Sequence, residues 1–317
     1  MRQPKLEYED SALDFIAGSG EMAERIRSFD WRNHPLGPPQ EWPQSLKIVI
    51  RIMLTSRYAM WMGWGEEFFF FCNDAYLPTV GIKRDWVLGA SARKVWAEIW
   101  PDIGPRAQSV VTTGKATWDE ALLLFLHRSG YREETYHTFS YSPVPDDDGS
   151  IGGMLCVVTE DTERVIGERR LATLRELAAH LDKTRTEEEL FSAVGGLLGN
   201  HSKDLPFGLI YLFDEGMQQA RLVCAHPRTL DASVAPAQIG TTDTNATWPA
   251  HQLATKTGPV PVVGLTEGLE RLPTGPWDRP PAQAVMVPLM EQAQGRPAGF
   301  FVAGLNPYRP FDLAYRG

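Results

Sequence analysis

Residues 58–76, YAMWMGWGEEFFFFCNDAY, carry the reading that decides the fold. Two apolar runs flank a turn at Gly65-Glu66-Glu67, and the second run ends in Asn73-Asp74, a pair suited to starting a helix. The stretch therefore predicts a β-hairpin that feeds a short helix. Runs this dense in aromatic residues belong to a sheet covered on both faces or wrapped around a cavity. Met60, Met62, Phe69 and Phe71 fit a ligand-lining wall, because methionine and aromatic side chains make adaptable apolar surfaces, and they fit a filled core equally.

Upstream, the first 18 residues read as polar and loose, and Ser19 is placed to cap a helix from Gly20 to about Phe29, with Met22, Ile26 and Phe29 at helical spacing. A Pro-rich connector containing Trp31 and Trp42 leads to a second amphipathic helix from Ser45 to about Ser56. Downstream, Val87-Leu88-Gly89 and Ala92–Trp100 read as short helices, and Ile103–Thr113 as a longer one ending near Gly114. Strands follow over Ala121–His127, Glu134–Pro143 and Ile151–Glu160, separated by turn signals. Two strands, several helices and three strands in a meander give an α+β unit with a five-stranded antiparallel sheet. In the 134–143 strand, Thr135, His137, Phe139 and Tyr141 share one face, and Tyr136, Thr138, Ser140 and Ser142 the other.

Glu163 to about His180 predicts a helix in which Leu171, Leu174, Ala178 and Leu181 form a short seam. Thr186 caps a further helix to Leu198, with Glu189 three residues on. A second β-rich unit begins at Phe207, with strands over Gly208–Asp214, Ala220–His226, Val260–Val263, Ala284–Leu289 and Ala298–Leu305, the last two joined across Gln294-Gly295. A helix is expected over Trp248–Thr255 and a mobile loop over 227–246, where Ala, Thr and Pro dominate. Phe311–Tyr315 resembles the opening of another helix, so the chain is expected to be cut short there. The predicted segments are 1–54 (helical extension), 55–163, 164–183 (connecting helix) and 184–317.

A formal net charge of −9 argues against a nucleic-acid surface. Cys72, Cys156 and Cys224 are too scattered for a disulfide framework or zinc site and fit a reducing compartment. The acidic N-terminus lacks the layout of a signal peptide, and no window has the ~18 apolar residues of a membrane span. A cytoplasmic protein without membrane or nucleic-acid partners is expected. Neither the Gly-rich nucleotide-binding runs nor the Gly-x-Ser-x-Gly nucleophile elbow occurs, and metal, haem and flavin have no motif behind them. His180 reads as a helical surface residue, and His127 and His137 as strand histidines able to ligate haem or donate to a small ligand.

Residues 58–163 resemble a PAS domain: the two strands, Asn73-Asp74-Ala75-Tyr76, Gly81 and Gly89, and the Thr159–Arg164 exit carry the likeness. Residues from about 168 onward resemble a GAF domain lacking its closing helix, and the segment around Asp30-Trp31 and Trp42-Pro43 looks like that preceding PAS domains in bacterial sensor histidine kinases. The resemblance implies a non-catalytic sensory module, a homodimer, and a kinase or other output domain further along the intact protein. A PAS pocket would draw on Met60, Met62, Phe69, Phe71, Asn73, Tyr76, Trp96, Phe125, His137, Phe139, Tyr141 and Cys156, with a small molecule as possible ligand. Relay and dimerisation would use Asp161, Thr162, Leu171, Leu174, Ala178 and Leu181. The alternative is a ligand-free dimerisation and docking module. Cavity volume discriminates the two.

Overall fold

The computed structural model describes residues 13–182, 184–253, 258–290 and 296–311. The expectations for residues 1–12, Thr255, Gln294-Gly295 and the stretch 312–315 fall outside them, as does the side chain of Leu181. The chain divides into two compact units, Met1–Ile166 and Gly167–Gly317.

The first unit opens with α1 (Glu21–Ser28) and α2 (Gln44–Thr55), then β1 (Ala59–Trp64) and β2 (Phe69–Cys72). Next come α3 (Leu77–Val80), α4 (Ala92–Val95) and α5 (Trp100–Thr113), and the unit closes with β3 (Thr117–Leu126), β4 (Glu133–Pro145) and β5 (Ile151–Glu160). The strands form one antiparallel sheet in the order β2-β1-β5-β4-β3. A long helix, α6 (Thr162–Leu181), follows at once.

The hairpin is covered on both faces, as its aromatic density requires. Pleating sends Trp61 and Phe70 inward, where their rings stack at 5.3 Å, and sends Phe71 outward onto Trp31, stacked at 5.4 Å, and Trp42 at 5.7 Å. The N-terminal helices and their tryptophans thus share one buried cluster with the sheet.

Both N-terminal helices are capped from a distance. Asp74 accepts from the amides of Glu21 (2.9 Å) and Met22 (2.8 Å), and Asp147 accepts from those of Gln44 (2.8 Å) and Ser45 (2.9 Å). Ser19 makes no such bond, contrary to its reading as the cap; the N-cap position of α1 is Gly20, where a Cβ would meet Asp74 Oδ2 at 2.2 Å. These two carboxylates fasten the extension to the body.

Two further expectations are corrected. Val87-Leu88-Gly89 is a turn, because Phe70 donates to Ala90 O and Gly89 to Phe70 O (both 2.9 Å), which ties the segment to the edge of β2. Ala92–Trp100 is broken after one turn, and α5 starts at Trp100 with Pro101 in its first turn and Gly114 in the left-handed region beyond its end.

The second unit contains α7 (Glu187–Asn200), β6 (Phe207–Phe213), β7 (Gln219–His226), β8 (Gln238–Gly240), α8 (Ala250–Leu253), β9 (Val260–Val263), α9 (Leu265–Gly268), β10 (Gln283–Met290) and β11 (Pro297–Gly304). Its antiparallel sheet runs β8-β7-β6-β11-β10-β9. Thr186 caps α7 as its spacing predicts, accepting from Glu189 N at 3.2 Å. The 227–246 loop is pinned, which corrects its reading as mobile: Tyr211 donates to Pro236 O (2.9 Å), and the Trp248 indole to Val234 O (2.7 Å), with Val234 fully buried.

Candidate functional site

Inside the first unit lies a cavity of about 20 Å³, bounded by Trp61 on β1, Tyr76 and Thr79 near α3, Trp96, Ile99 and Ile103 at α5, Leu124 and Leu126 on β3, His137, Phe139 and Tyr141 on β4, and Cys156 and Val158 on β5. One water needs roughly 10–15 Å³ on this measure, so the space takes a single water-sized guest and no macrocycle or isoalloxazine ring. Strand register builds its floor, with Trp61 paired to Cys156 and Cys156 to Tyr141 in one row.

Polar groups on the wall are few and deeply buried. Thr135 donates its one hydroxyl proton to Leu124 O (2.7 Å), so its oxygen accepts at 3.1 Å from His137 Nε2–H, which fixes the neutral tautomer. Burial holds the His137 pKa down at about 4; the Glu160 carboxylate opposes this shift and the Arg128 cation adds to it. Burial pushes the Tyr76 and Tyr141 hydroxyls and the Cys72 and Cys156 thiols upward, so none is a ready anion or nucleophile. The Trp96 indole N–H is buried without a partner.

The other face of β4 holds the root of α6. Tyr136 N donates to Thr162 Oγ (3.0 Å), and Asp161 N donates to Tyr136 O (2.7 Å). Thr138 donates to Asp161 Oδ2 (2.5 Å), Thr162 to Glu160 Oε1 (2.9 Å), and Arg164 to Asp161 Oδ1 (3.1 Å). Arg128 grips Glu160 with two bonds (2.6 and 2.8 Å) and Glu133 with one (3.0 Å). Burial works against ionised Glu160, and the Arg128 fork overcomes it, leaving the carboxyl below its ordinary range; the Thr138 hydrogen bond does the same for Asp161. Glu160 lies opposite His137 in the sheet, so cavity and helix root adjoin.

Farther along, within the second unit, Arg169 clasps Asp204 (2.6 and 2.7 Å), and Glu176 accepts from Asn200 (2.8 Å) and lies 2.7 Å from His201 Nε2. Leu171, Leu174 and Ala178 are exposed on α6.

No family model matches the chain, and no curated protein does. Solved structures similar to parts of it include the GAF domain of an Acinetobacter phosphoenolpyruvate-protein phosphotransferase, at 16% identity over 46% of this chain and 83% of that one, TM-score 0.35. The PAS domain of Bordetella pertussis BvgS is similar at 20% identity over 42% of this chain and 99% of that one, TM-score 0.27. A Vibrio cholerae sensory box sensor histidine kinase is similar at 13% identity over 36% and 90%, TM-score 0.27. The strand orders and the helices between β2 and β3 decide the architecture. By strand order the first unit has a PAS-type fold and the second a GAF-type fold.

Of the residues expected in a PAS pocket, Tyr76, Trp96, His137, Phe139, Tyr141 and Cys156 meet at the cavity. Met60, Met62, Phe69 and Phe71 do not: they alternate with the inward positions and face the N-terminal extension, a second cover that frees the opposite faces of β1 and β2 to line the interior. Phe125 also points outward, with the Arg132 guanidinium 4.4 Å above its ring. Asn73 is a structural tie: its amide donates to Met53 O (3.1 Å), Ser56 O (3.3 Å) and Tyr58 O (2.7 Å), and its oxygen accepts from Met60 N (3.1 Å), binding the end of α2 to β1. Trp61, Thr79, Ile99, Ile103, Leu124, Leu126 and Val158 also line the cavity and lie outside the expected set; once β4 alternation is fixed, cross-strand register alone identifies Trp61 and Val158.

In the GAF unit, a groove of about 460 Å³ between α7 and β7 is lined by Glu188, Phe191, Ser192, Cys224 and Arg228 among others. Burial raises the Cys224 thiol, which donates to Phe191 O at 3.3 Å. His180 is exposed, its Nδ1 2.8 Å from Glu176 O. Among the described residues no helix is long and apolar enough to cross a membrane, and no group of three or more His, Cys, Asp or Glu is placed to hold a metal.

Proposed function

We propose that the chain is a non-catalytic PAS–GAF regulatory module of a cytoplasmic bacterial signalling protein, a histidine kinase by preference, that relays a change in the PAS core along α6. One observation carries this reading: β4 has both faces committed, with His137, Phe139 and Tyr141 on the cavity and Tyr136 and Thr138 on the root of α6. Anything that displaces β4 from inside displaces the helix. The exposed Leu171, Leu174 and Ala178 stripe supports self-association along α6 in a homodimer.

Amide chemical shifts of Asp161–Ile166 test the relay. Phe139→Leu, which enlarges the cavity, should move them well beyond the effect of Ile26→Val, a core change in α1. Thr138→Val combined with Thr162→Val should abolish that excess. Equal responses to Phe139→Leu and Ile26→Val would sink the reading.

The cavity volume favours a second reading, in which the PAS unit receives its signal from a docking partner rather than a bulky ligand. Native mass spectrometry at the apo mass supports it, and a tightly bound cofactor in the purified protein overturns it.

A further inference from the structure

The cavity behind β4 is small, yet its wall carries more hydrogen-bonding capacity than an apolar core requires. Trp96 bounds it, and the Trp96 indole N–H is buried without a partner. Tyr76 and Tyr141 bound it too, and neither hydroxyl has a hydrogen-bond partner among the described residues. These two hydroxyls and the Cys156 thiol lie within electrostatic reach of one another. His137 commits its Nε2–H to Thr135, so the lone pair on Nδ1 is the acceptor that it still offers. A buried polar group left unsatisfied costs its full desolvation, and native cores rarely tolerate several around one space.

The wall discriminates among small guests. An apolar gas such as dioxygen would leave the indole and both phenols unpaired. An ion is rejected, because burial holds His137 neutral and both phenols protonated. The Lys83 ammonium, 4.4 Å from the centre of the Trp96 ring, is no counter-charge, since it donates to Val95 O (2.7 Å) and pairs with Glu98. Water meets both limits. One molecule needs roughly 10–15 Å³ and two to four polar partners, and a cavity of about 20 Å³ bounded by Trp96, Tyr76, His137 and Tyr141 supplies them.

We propose that the cavity is a built site for one ordered water, which accepts from Trp96 Nε1–H, donates to His137 Nδ1 and completes its shell with the Tyr76 and Tyr141 hydroxyls. The molecule joins the helical wall, through Tyr76 and Trp96, to strand β4, through His137 and Tyr141. It is a component of the folded core, and any organic ligand would have to displace it. The site concerns the cavity alone and does not rest on a relay along α6.

Two measurements on the full-length protein test the site. In the wild type, the Trp96 indole proton, assigned by its loss in Trp96→Phe, should show NOE and ROE cross-peaks to water of opposite sign, the signature of a long-held molecule rather than of proton exchange. Their absence overturns the proposal. Urea unfolding of Tyr141→Phe gives the second reading. A hydroxyl bonded to water stabilises the fold, so its removal should raise the unfolding equilibrium constant about fivefold. A hydroxyl facing a dry wall is an unpaired buried group, and its removal leaves that constant unchanged or lowers it, which overturns the proposal. Tyr76→Phe should repeat the sign independently. An organic molecule found in the cavity of the purified protein overturns the proposal as well.

Discussion

His137 makes the stability of the PAS unit depend on pH in a window that carboxylates do not explain. Its pKa drops from 6.5 to about 4 on folding because the ring is sealed in the core. A depressed histidine contributes stability above its unfolded pKa and loses it as the pH falls toward the folded one. At about pH 5 the loss relative to neutral pH is about 2 kcal/mol, and the limit below both pKa values is about 3 kcal/mol. Glu160 and Asp161, whose pKa values are lowered, begin to weaken the fold only as the pH drops toward 4.5 and below, so the upper part of the window belongs to His137. Urea unfolding followed by tryptophan fluorescence suits the measurement, since eight of the ten tryptophans lie in the first unit. His137→Gln keeps a donor toward Thr135 and removes the titration. Wild type should lose about 2 kcal/mol between about pH 7.5 and pH 5 and the variant little. Parallel losses in both proteins would refute the argument, whatever the absolute stability of the variant.

Asn73→Ala removes the partner of Ser56 O, Tyr58 O and Met60 N in a buried corner, while Met53 O keeps its bond from Ser56 N, so it should destabilise the first unit by about 3 kcal/mol in the same urea assay. Gly81→Ala meets two obstacles, a backbone at φ +59 and a Cβ 2.2 Å from Arg128 O, and should lower stability by at least about 2 kcal/mol; a thermal melt unchanged from wild type would contradict this. Leu174→Asp should reduce the mass seen by light scattering if α6 contributes to self-association, and an unchanged mass removes α6 from the interface. Asp147→Ala should speed hydrogen exchange at Gln44–Lys47 while leaving the amides of α1 protected, because each helix has its own distant cap.

The sheet strands were legible because their signals are local: period-two alternation in β4, turn residues at Gly65 and Asp146–Gly149, and Gly114 past the end of α5. The helix caps were not, since Asp74 and Asp147 act across 52 and more positions of sequence, and nothing near Ser19 or Pro43 reveals them. The pocket was legible on β4, where His137, Phe139 and Tyr141 stand on one face. It was misread on β1 and β2, where both faces are aromatic and only the placement of Trp31 and Trp42 decides which looks inward. Composition identifies a strand covered twice; it does not say by what.

The small cavity also limits how a relay through β4 can work. Even the most efficient small ligands gain no more than about 1.5 kcal/mol per heavy atom, so a guest of one or two atoms supplies about 1.5–3 kcal/mol at most. Hydrogen bonds to charged groups contribute about 1.5–3 kcal/mol each, and the α6 root holds several: the Arg128 fork on Glu160, its bond to Glu133, and the Thr138 and Arg164 bonds to Asp161. A guest of that size cannot dismantle the root. It can shift the balance between two placements of β4 that keep the root intact, since a ligand moves an equilibrium only by its differential affinity for the two states. The structure therefore favours a helix carried bodily by its strand over one that melts, and a docking partner, which brings more contact area than a water-sized guest, is the stronger source of displacement.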